Sequence, residues 1–352
     1  MPKKAKAAPL QSTVESVETL QNRTPRIISL DLGNAYTNMK TDAGETLDWR
    51  SVQGKVGDAN RMKDLPFDHT LNIGGEWWVF GEAAYTYTPR TLEDYPATSR
   101  YTSDWYRRLF FYALHRAYGL RVREGDSWFE PQVILSIPAG QFNNDAVVQK
   151  VRASLAGEHT LGTTLGYLRV RLHHSNLFII PEGAGSFVAA SMDSPTAGLD
   201  KGIVLVVDVG YLTTDILGYR GGDYMPELAE SDSEAGMRVV ARAVARDVYA
   251  QTGVELRPEE VDPYTLCDAL VVRGKAIPIK EARTRAMVDL GKRIVGFITR
   301  VATRLNISNV LLTGGGAEAL HPILQAQIGM PTLVAPNARR ANVEGAYLLL
   351  KE

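Results

Sequence analysis

Residues 205–219 read LVVDVGYLTTDILGY. An apolar strand runs into Asp208, Gly210 follows, hydroxyl side chains come next, and a second strand returns through Leu217. Taken alone, Asp and Gly are ordinary turn residues. Residues 27–41, IISLDLGNAYTNMKT, have the same plan: strand, Asp31, Gly33, a polar turn, and a returning strand. About half the chain separates the two copies, too far for a solenoid repeat and right for two related lobes. Two such hairpins can face each other across a cleft. The backbone N–H groups of their glycine turns can then hold phosphate oxygens from opposite sides. Asp31 and Asp208 would lie on the cleft floor. Two carboxylates there are costly unless a cation neutralises them, which points to Mg²⁺ held with its waters by a nucleotide.

A third element fits the same cleft. Residues 311–320, LLTGGGAEAL, place Gly314, Gly315 and Gly316 after a strand and before a helix. Bare backbone there can approach a flat base or a ribose, and the helix N-terminus favours negative charge. Glycine-rich strand-to-helix turns are common. The weight of this one comes from the order hairpin, hairpin, glycine run.

Length and composition bound the rest. The chain has 352 residues, 45% hydrophobic and 22% charged, enough for two domains or one domain of two lobes. With 39 Lys and Arg against 40 Asp and Glu, the net charge of −1 excludes an overall basic nucleic-acid footprint. The single cysteine, Cys267 in YTLCDALVV, excludes an internal disulfide, fits a cytoplasmic location and reads as a small core side chain. No apolar run approaches the roughly 20 residues that span a bilayer. Residues 1–25 are polar, lack a signal-peptide core and read as a disordered tail whose Lys3, Lys4 and Lys6 are solvated.

Periodicity supplies the elements between these motifs. Residues 70–85, TLNIGGEWWVFGEAAY, predict a hairpin around Gly74-Gly75. Residues 103–120 predict a helix capped by Ser103, with a core-facing aromatic stripe. Residues 131–142 predict a short buried strand and residues 144–157 a helix. Residues 168–190 predict a strand pair, the turn Pro181-Glu182-Gly183, and a helix start; His173 and His174, adjacent on a strand, would face opposite sides rather than share a metal. Residues 233–253 and 281–305 predict long helices, residues 308–329 strand, glycine turn and helix, and the chain closes in an Ala-rich helix from about Val343.

Set in order, these segments resemble the actin-like ATPase superfamily, which also holds sugar kinases and the large heat-shock chaperones. The resembling segments are DLGNAYTNMK, VILSIPAGQFN with IIPEGAGSF, VVDVGYLTTDI, LLTGGGAEAL and NVEGAYLLL, spanning about Arg26 to Leu350. Within the superfamily the chain is most similar to prokaryotic actin-like plasmid-segregation proteins of the ParM (StbA) type, through TNMK after the first turn, PEGAGS before a helix, and TGGGAE. The first turn departs from that group's pattern by being longer between Asp31 and Lys40.

The resemblance implies an α/β protein with a two-lobed actin-like fold: duplicated mixed-sheet domains and a nucleotide cleft between them. Residues 26–202 would form lobe I, with the helix of residues 343–352 packing back on it, and residues 203–342 would form lobe II. The implied cofactors are ATP, or GTP, and Mg²⁺. Asp31 and Asp208 would anchor the metal's water shell, and Asp208 would also help orient the attacking water. Gly33, Asn34, Thr37, Asn38 and Lys40 are candidates for the first phosphate loop, and Gly210, Thr213 and Thr214 for the second. Lys40 has the alternative of pointing to solvent, and Asp215 that of a structural role. Glu182 is the candidate general base or water-positioning group, against a helix-terminal acid that only offsets the dipole. Gly314, Gly315 and Gly316 would line the adenosine, with Glu234, Gly236 and Glu318 as further contacts to base or ribose.

The implied function is a slow Mg²⁺-dependent ATPase that polymerises with bound nucleotide, partners itself in a filament, and moves plasmid DNA through an adaptor protein bound to centromere-like DNA. A small-molecule kinase on the same fold is the first alternative. It is disfavoured because the segment after SIPAG offers Asp145 only within the following helix. A membrane-associated scaffold is the second, disfavoured because neither terminus carries an amphipathic anchor, so no direct membrane binding is expected.

Overall fold

Runs of Ile, Leu and Val, apolar on both faces, become the central strands of two sheets. In the computed structural model, the described residues are 24–57, 64–93, 100–119, 128–193, 199, 201–262, 265–303 and 305–351. Nearly all of the expected N-terminal tail lies outside them. The first half supplies β1 (Ile27–Leu32), β2 (Tyr36–Thr41), β3 (Thr46–Arg50), β4 (Gln53–Lys55), β5 (Thr70–Ile73), β6 (Glu76–Phe80), β7 (Leu92–Glu93), β8 (Gln132–Ile137), β9 (Gly157–Thr163), β10 (Gly166–Leu172) and β11 (Leu177–Pro181). The second half supplies β12 (Ile203–Val209), β13 (Thr214–Arg220), β14 (Asp223–Asp232), β15 (Ala269–Val272), β16 (Lys275–Pro278), β17 (Ile307–Thr313) and β18 (Thr332–Val334).

Two five-stranded sheets share one plan. The first has the order β11-β8-β1-β2-β3 and the second β18-β17-β12-β13-β14. In each, the central strand pairs antiparallel with the strand that returns from the Asp-x-Gly turn, and parallel with a strand from far along the chain. The repeat seen in the sequence is thus a repeat of topology. A further sheet, β10-β9-β5-β6-β4-β7, flanks the first, and β15-β16 form a separate hairpin.

Helices cover the sheets. Helix Asp104–Tyr118 starts where Ser103 Oγ accepts from Tyr106 N at 3.2 Å. Its buried aromatic stripe packs into the first core, where Tyr112 stacks on Phe80 at 4.6 Å between ring centres. Helices Arg238–Thr252, Lys280–Ala302 and Ala317–Ile328 pack on or beside the second sheet. The terminal helix Ala341–Lys351 lies against helix Ala184–Met192 and against β1, β2 and β8. Those two helices touch through glycine: a Cβ at Gly345 would stand 1.7 Å from Gly185 O, so no side chain fits between them.

Several expectations are corrected. Cys267 is exposed, not a core side chain. Its apolar neighbours alternate, with Leu270 and Val272 buried while Val271 is 67% exposed, so only one face of that hairpin meets the core. β10 and β11 do not pair with each other: β10 joins β9 and β11 joins β8, in different sheets. His173 and His174 fall between them, His174 in the single turn His174–Asn176 rather than on a strand. The helix expected from Ser233 begins at Arg238, because β14 continues to Asp232 and Gly236 is pressed against the backbone of residues 211 and 212.

Candidate functional site

Register places the two aspartates in matching positions. Asp31 on β1 lies opposite Asn38 on β2 and Ser136 on β8. Asp208 on β12 lies opposite Asp215 on β13 and Thr313 on β17. Both line one cavity of about 250 Å³, a size suited to a small ligand or part of a larger one. Gly33, Asn34 and Asn38 line it from the first turn, Gly210 and Thr213 from the second, and Gly314 and Gly315 from the glycine run. Glu182 completes the set: its N–H donates to Ile137 O at 2.7 Å, and it stands just ahead of helix Ala184–Met192, whose N-cap Gly183 has φ 92°.

Burial and mutual repulsion govern the electrostatics. Burial raises the Glu182 carboxyl well above the usual range, with Asp31, Asp215 and Asp208 adding to it and Arg100 opposing. Burial also raises Asp208 strongly, reinforced by Asp31 and Asp215. Asp31 rises through burial, moderated by the Asn342 amide and by Arg100. Asp215 rises through burial, moderated by hydroxyl donors from Ser231 and from Thr213, the latter at 2.9 Å. Four acids therefore converge where water is largely excluded.

One amide ties this group together. Asn342 Nδ2 donates to Asp31 Oδ2 at 3.3 Å and to Ser136 Oγ at 3.0 Å. Its Oδ1 accepts from the N–H groups of Gly183 and Gly185, each at 3.2 Å. The start of the terminal helix is thereby fixed to β1, β8 and the turn that carries Glu182.

Other expected residues lie outside the cavity lining. Thr37 Oγ1 is within 3.0 Å of Ser51 Oγ, Thr214 Oγ1 donates to Ala235 O at 2.5 Å, and Lys40 Nζ donates to Thr46 Oγ1 at 2.8 Å. Gly236 and Gly316 are buried against protein, while Glu234 and Glu318 are exposed. Residues not anticipated do line it: Tyr36, Tyr211, Met237, Asp262, Thr265, Leu266, Thr313, Ala338, Arg339 and Asn342 among them. Asn342 had one sequence signal, an amide in the first turn of a helix rich in Ala and Leu. Asp262 and Arg339 had none, since their places depend on distant strands.

The residues present suit a metal-bound nucleotide. Asn38 lines the cavity, and its buried Oδ1 has no hydrogen-bond partner among the described residues. Gly314, with φ 84°, brings its backbone so close to Asp208 Oδ1 that a Cβ would lie 2.2 Å from it, whereas a Cβ on Gly315 would meet nothing. The glycine at 315 therefore leaves bare backbone facing the cavity rather than serving packing. Among the described residues no three His, Cys, Asp or Glu side chains form a ready cation cage. A divalent ion here would take most of its ligands from water and phosphate, as Mg²⁺ does.

Comparison with known proteins agrees with this geometry. Residues 29–185 match the family model for the N-terminal domain of actin-like proteins, and residues 206–326 match that for the C-terminal part of archaeal MreB-like actin homologues. The two matches run in order and together take in most of the chain, which belongs to the actin-like superfamily. A search of curated protein sequences gives no match. Among solved structures, a ParM in a 15-stranded filament from Clostridium botulinum superposes with TM-score 0.75 at 17% identity, covering 94% of this chain and 99% of that one. The archaeal actin homologue Ta0583 in complex with ADP gives 0.75 at 18%, covering 92% and 99%. The actin-like protein Alp7A gives 0.71 at 12%, covering 92% and 95%. These likenesses establish a two-lobed actin-like fold. Among the described residues no helix is long and apolar enough to cross a membrane.

Proposed function

We propose that the chain is a cytoplasmic filament-forming nucleotidase that binds ATP, or GTP, with Mg²⁺ in the cleft and hydrolyses it slowly. The observation that carries this reading is the matched pair of Asp-x-Gly turns, Asp31 with Gly33 and Asp208 with Gly210, bordering a single cavity. Residues 26–202 together with the terminal helix form one lobe and residues 203–342 the other, a division supported by the two sheets of like topology. Asn34 and Asn38 hold phosphate from one side and Thr213 from the other. Asp31 and Asp208 would hold a bound Mg²⁺ through its waters, and the ion would supply charge neutralisation at the terminal phosphate. Gly314 and Gly315 approach the nucleoside.

Glu182 positions a water in line with the terminal phosphorus and takes its proton as the new P–O bond forms and the diphosphate leaves; phosphoryl transfer asks for little further protein chemistry. The nucleotide-bound chain assembles into a filament, a reading supported by the filament of a ParM relative in fold. The filament moves plasmid DNA through an adaptor bound to a centromere-like site. A sugar-kinase reading has less support, because Asp145 is exposed at the start of helix Asp145–Leu155 and does not line the cavity.

The test is phosphate release from ATP and GTP, with and without Mg²⁺, alongside phosphate transfer to a panel of sugars. Slow Mg²⁺-dependent release without transfer is the expected result. Stoichiometric sugar phosphorylation would replace the filament reading with the kinase.

A further inference from the structure

A guanidinium stands behind the first glycine turn. Arg100 opens the short turn Arg100–Thr102 ahead of helix Asp104–Tyr118 and is only 7% exposed. Its Nη2 donates to Leu32 O at 2.5 Å and to Gly33 O at 2.8 Å. Those two carbonyls belong to the residues that immediately follow Asp31. Its Nε and Nη1 are buried and have no hydrogen-bond partner among the described residues. Aromatic rings surround the charge, with Trp105 at 5.1 Å, Tyr101 at 5.6 Å and Tyr106 at 5.8 Å from ring centre to the guanidinium carbon.

This is an unusual place for an arginine. A buried cation is ordinarily paired with a carboxylate, because desolvation otherwise goes uncompensated. Among the described residues no acid lies within salt-bridge distance of Arg100. The side chain instead gives one nitrogen, Nη2, to two main-chain carbonyls, and its charge acts at longer range, opposing the effect of burial on Asp31 and Glu182. Other acids facing that region are Asp208 and Asp215, with the phenols of Tyr101 and Tyr106 on the Arg100 side. A ring face offers such a cation partial compensation without tying up its N–H groups.

We propose that Arg100 is a positioning residue for phosphate recognition: by holding the Leu32 and Gly33 carbonyls back against the helix side, it keeps the outer face of the first turn directed at the cavity. The inference rests on the nucleotide reading of the cleft. Ala35 O accepts from Ser51 N at 2.8 Å and Tyr36 pairs with Arg50 on β3, while the side-chain hydrogen bonds to the Leu32 and Gly33 carbonyls come from Arg100. Gly33 has no side chain, and Asn34, Ala35 and Tyr36 all line the cavity rather than the core. Nη2 of Arg100 thus restrains from behind a loop that must stay open in front. Lysine cannot replace it fully, since its shorter, more strongly hydrated ammonium lacks the planar guanidinium that packs among Trp105, Tyr101 and Tyr106 and aims Nη2 at both carbonyls.

Arg100→Lys and Arg100→Gln test this by two readouts. Titration of ATP, ADP and adenosine, each with Mg²⁺, should show affinity for the phosphorylated ligands falling by about tenfold or more, the scale of lost charge-assisted hydrogen bonds, with adenosine binding unchanged. Hydrogen exchange of the nucleotide-free protein should be faster at residues 33–36 in both variants while the rest of the sheet keeps its protection. Equal losses for adenosine and ATP, or unchanged exchange in the turn, would overturn the proposal. Circular dichroism checks folding; should Arg100→Gln fail to fold, Arg100→Lys keeps the charge and decides alone. Wild-type protein that binds neither ATP nor ADP would instead overturn the nucleotide reading, and the exchange measurement would still decide whether Arg100 holds the turn.

Discussion

A carboxyl group raised by burial keeps its proton in the folded chain at a pH where the unfolded chain has lost it. Its contribution to stability is whole below the ordinary carboxylate range and is lost as pH rises through the raised value. Asp208 is such a group, raised by burial and then by Asp31 and Asp215. Asp208→Asn is therefore expected to raise the melting temperature of the nucleotide-free protein at neutral pH. The gain should shrink as pH falls toward about 4, the ordinary carboxylate value. The same variant should bind Mg²⁺-nucleotide more weakly, because it removes a charge that supports the metal. Melting curves at several pH values check the first half; a variant less stable than wild type at neutral pH would show that the carboxylate is already compensated. Glu182 is a different case, placed to handle water rather than ligand. Glu182→Ala should slow phosphate release by about a hundredfold, within the usual range for a positioned base, while sparing ATP affinity. Single-turnover phosphate release beside equilibrium binding separates the two effects, and wild-type release rates would remove Glu182 from the mechanism.

At the level of elements, what the sequence made legible is what local pattern encodes. Aliphatic runs marked β1, β8, β12 and β17, Gly74-Gly75 marked the β5–β6 turn, and Ser103 marked the start of helix Asp104–Tyr118. Residues beside those strand ends, Asp31, Gly33, Asp208, Gly210 and Gly314, reach the cavity for the same reason. What was hidden depends on distant partners. The sheet joined by β10 is set by β9, and the reach of Asn342 to Asp31 is set by the crossing of two helices. The sequence leaves Lys40 between a phosphate contact and solvent; its Nζ donates to Thr46 Oγ1, a partner set by the β2–β3 pairing. The helix crossing itself is open to test. Gly345→Ala places a methyl group where Gly185 O now lies, so the helices must separate. Overpacking of this kind costs about 1–3 kcal/mol, several degrees in melting temperature for a chain of this size. An unchanged melting temperature would mean that the contact is looser than it stands here.

Over the whole molecule, polar contacts span the mouth of the cleft. Arg50, at the end of β3, donates to Asp262 Oδ2 at 2.6 Å and to Glu259 O at 2.5 Å, while Asp48 on β3 pairs with Arg339 at 2.9 Å and with Arg340. The Arg50–Asp262 pair is nearly buried, with side chains 9% and 11% exposed, so breaking it on one side leaves an uncompensated charge. Arg50→Ala is expected to lower stability by about 3 kcal/mol or somewhat more. In a nucleotide-binding cleft it should also speed release of a fluorescent ATP analogue, which stopped-flow mixing would detect; unchanged release would leave the pair a purely local support. Closing the lobes on a ligand that prefers the closed form shifts that population, and a filament that accepts only closed subunits couples binding to assembly. High-speed sedimentation of the wild-type chain, incubated with Mg²⁺ and either ATP, GTP, a non-hydrolysable ATP analogue or no nucleotide, tests that coupling most directly. The expected outcome is protein in the pellet with a triphosphate, longest-lasting with the analogue, and protein in the supernatant without nucleotide. Protein that stays in the supernatant under every condition, or pellets equally with and without nucleotide, would contradict it.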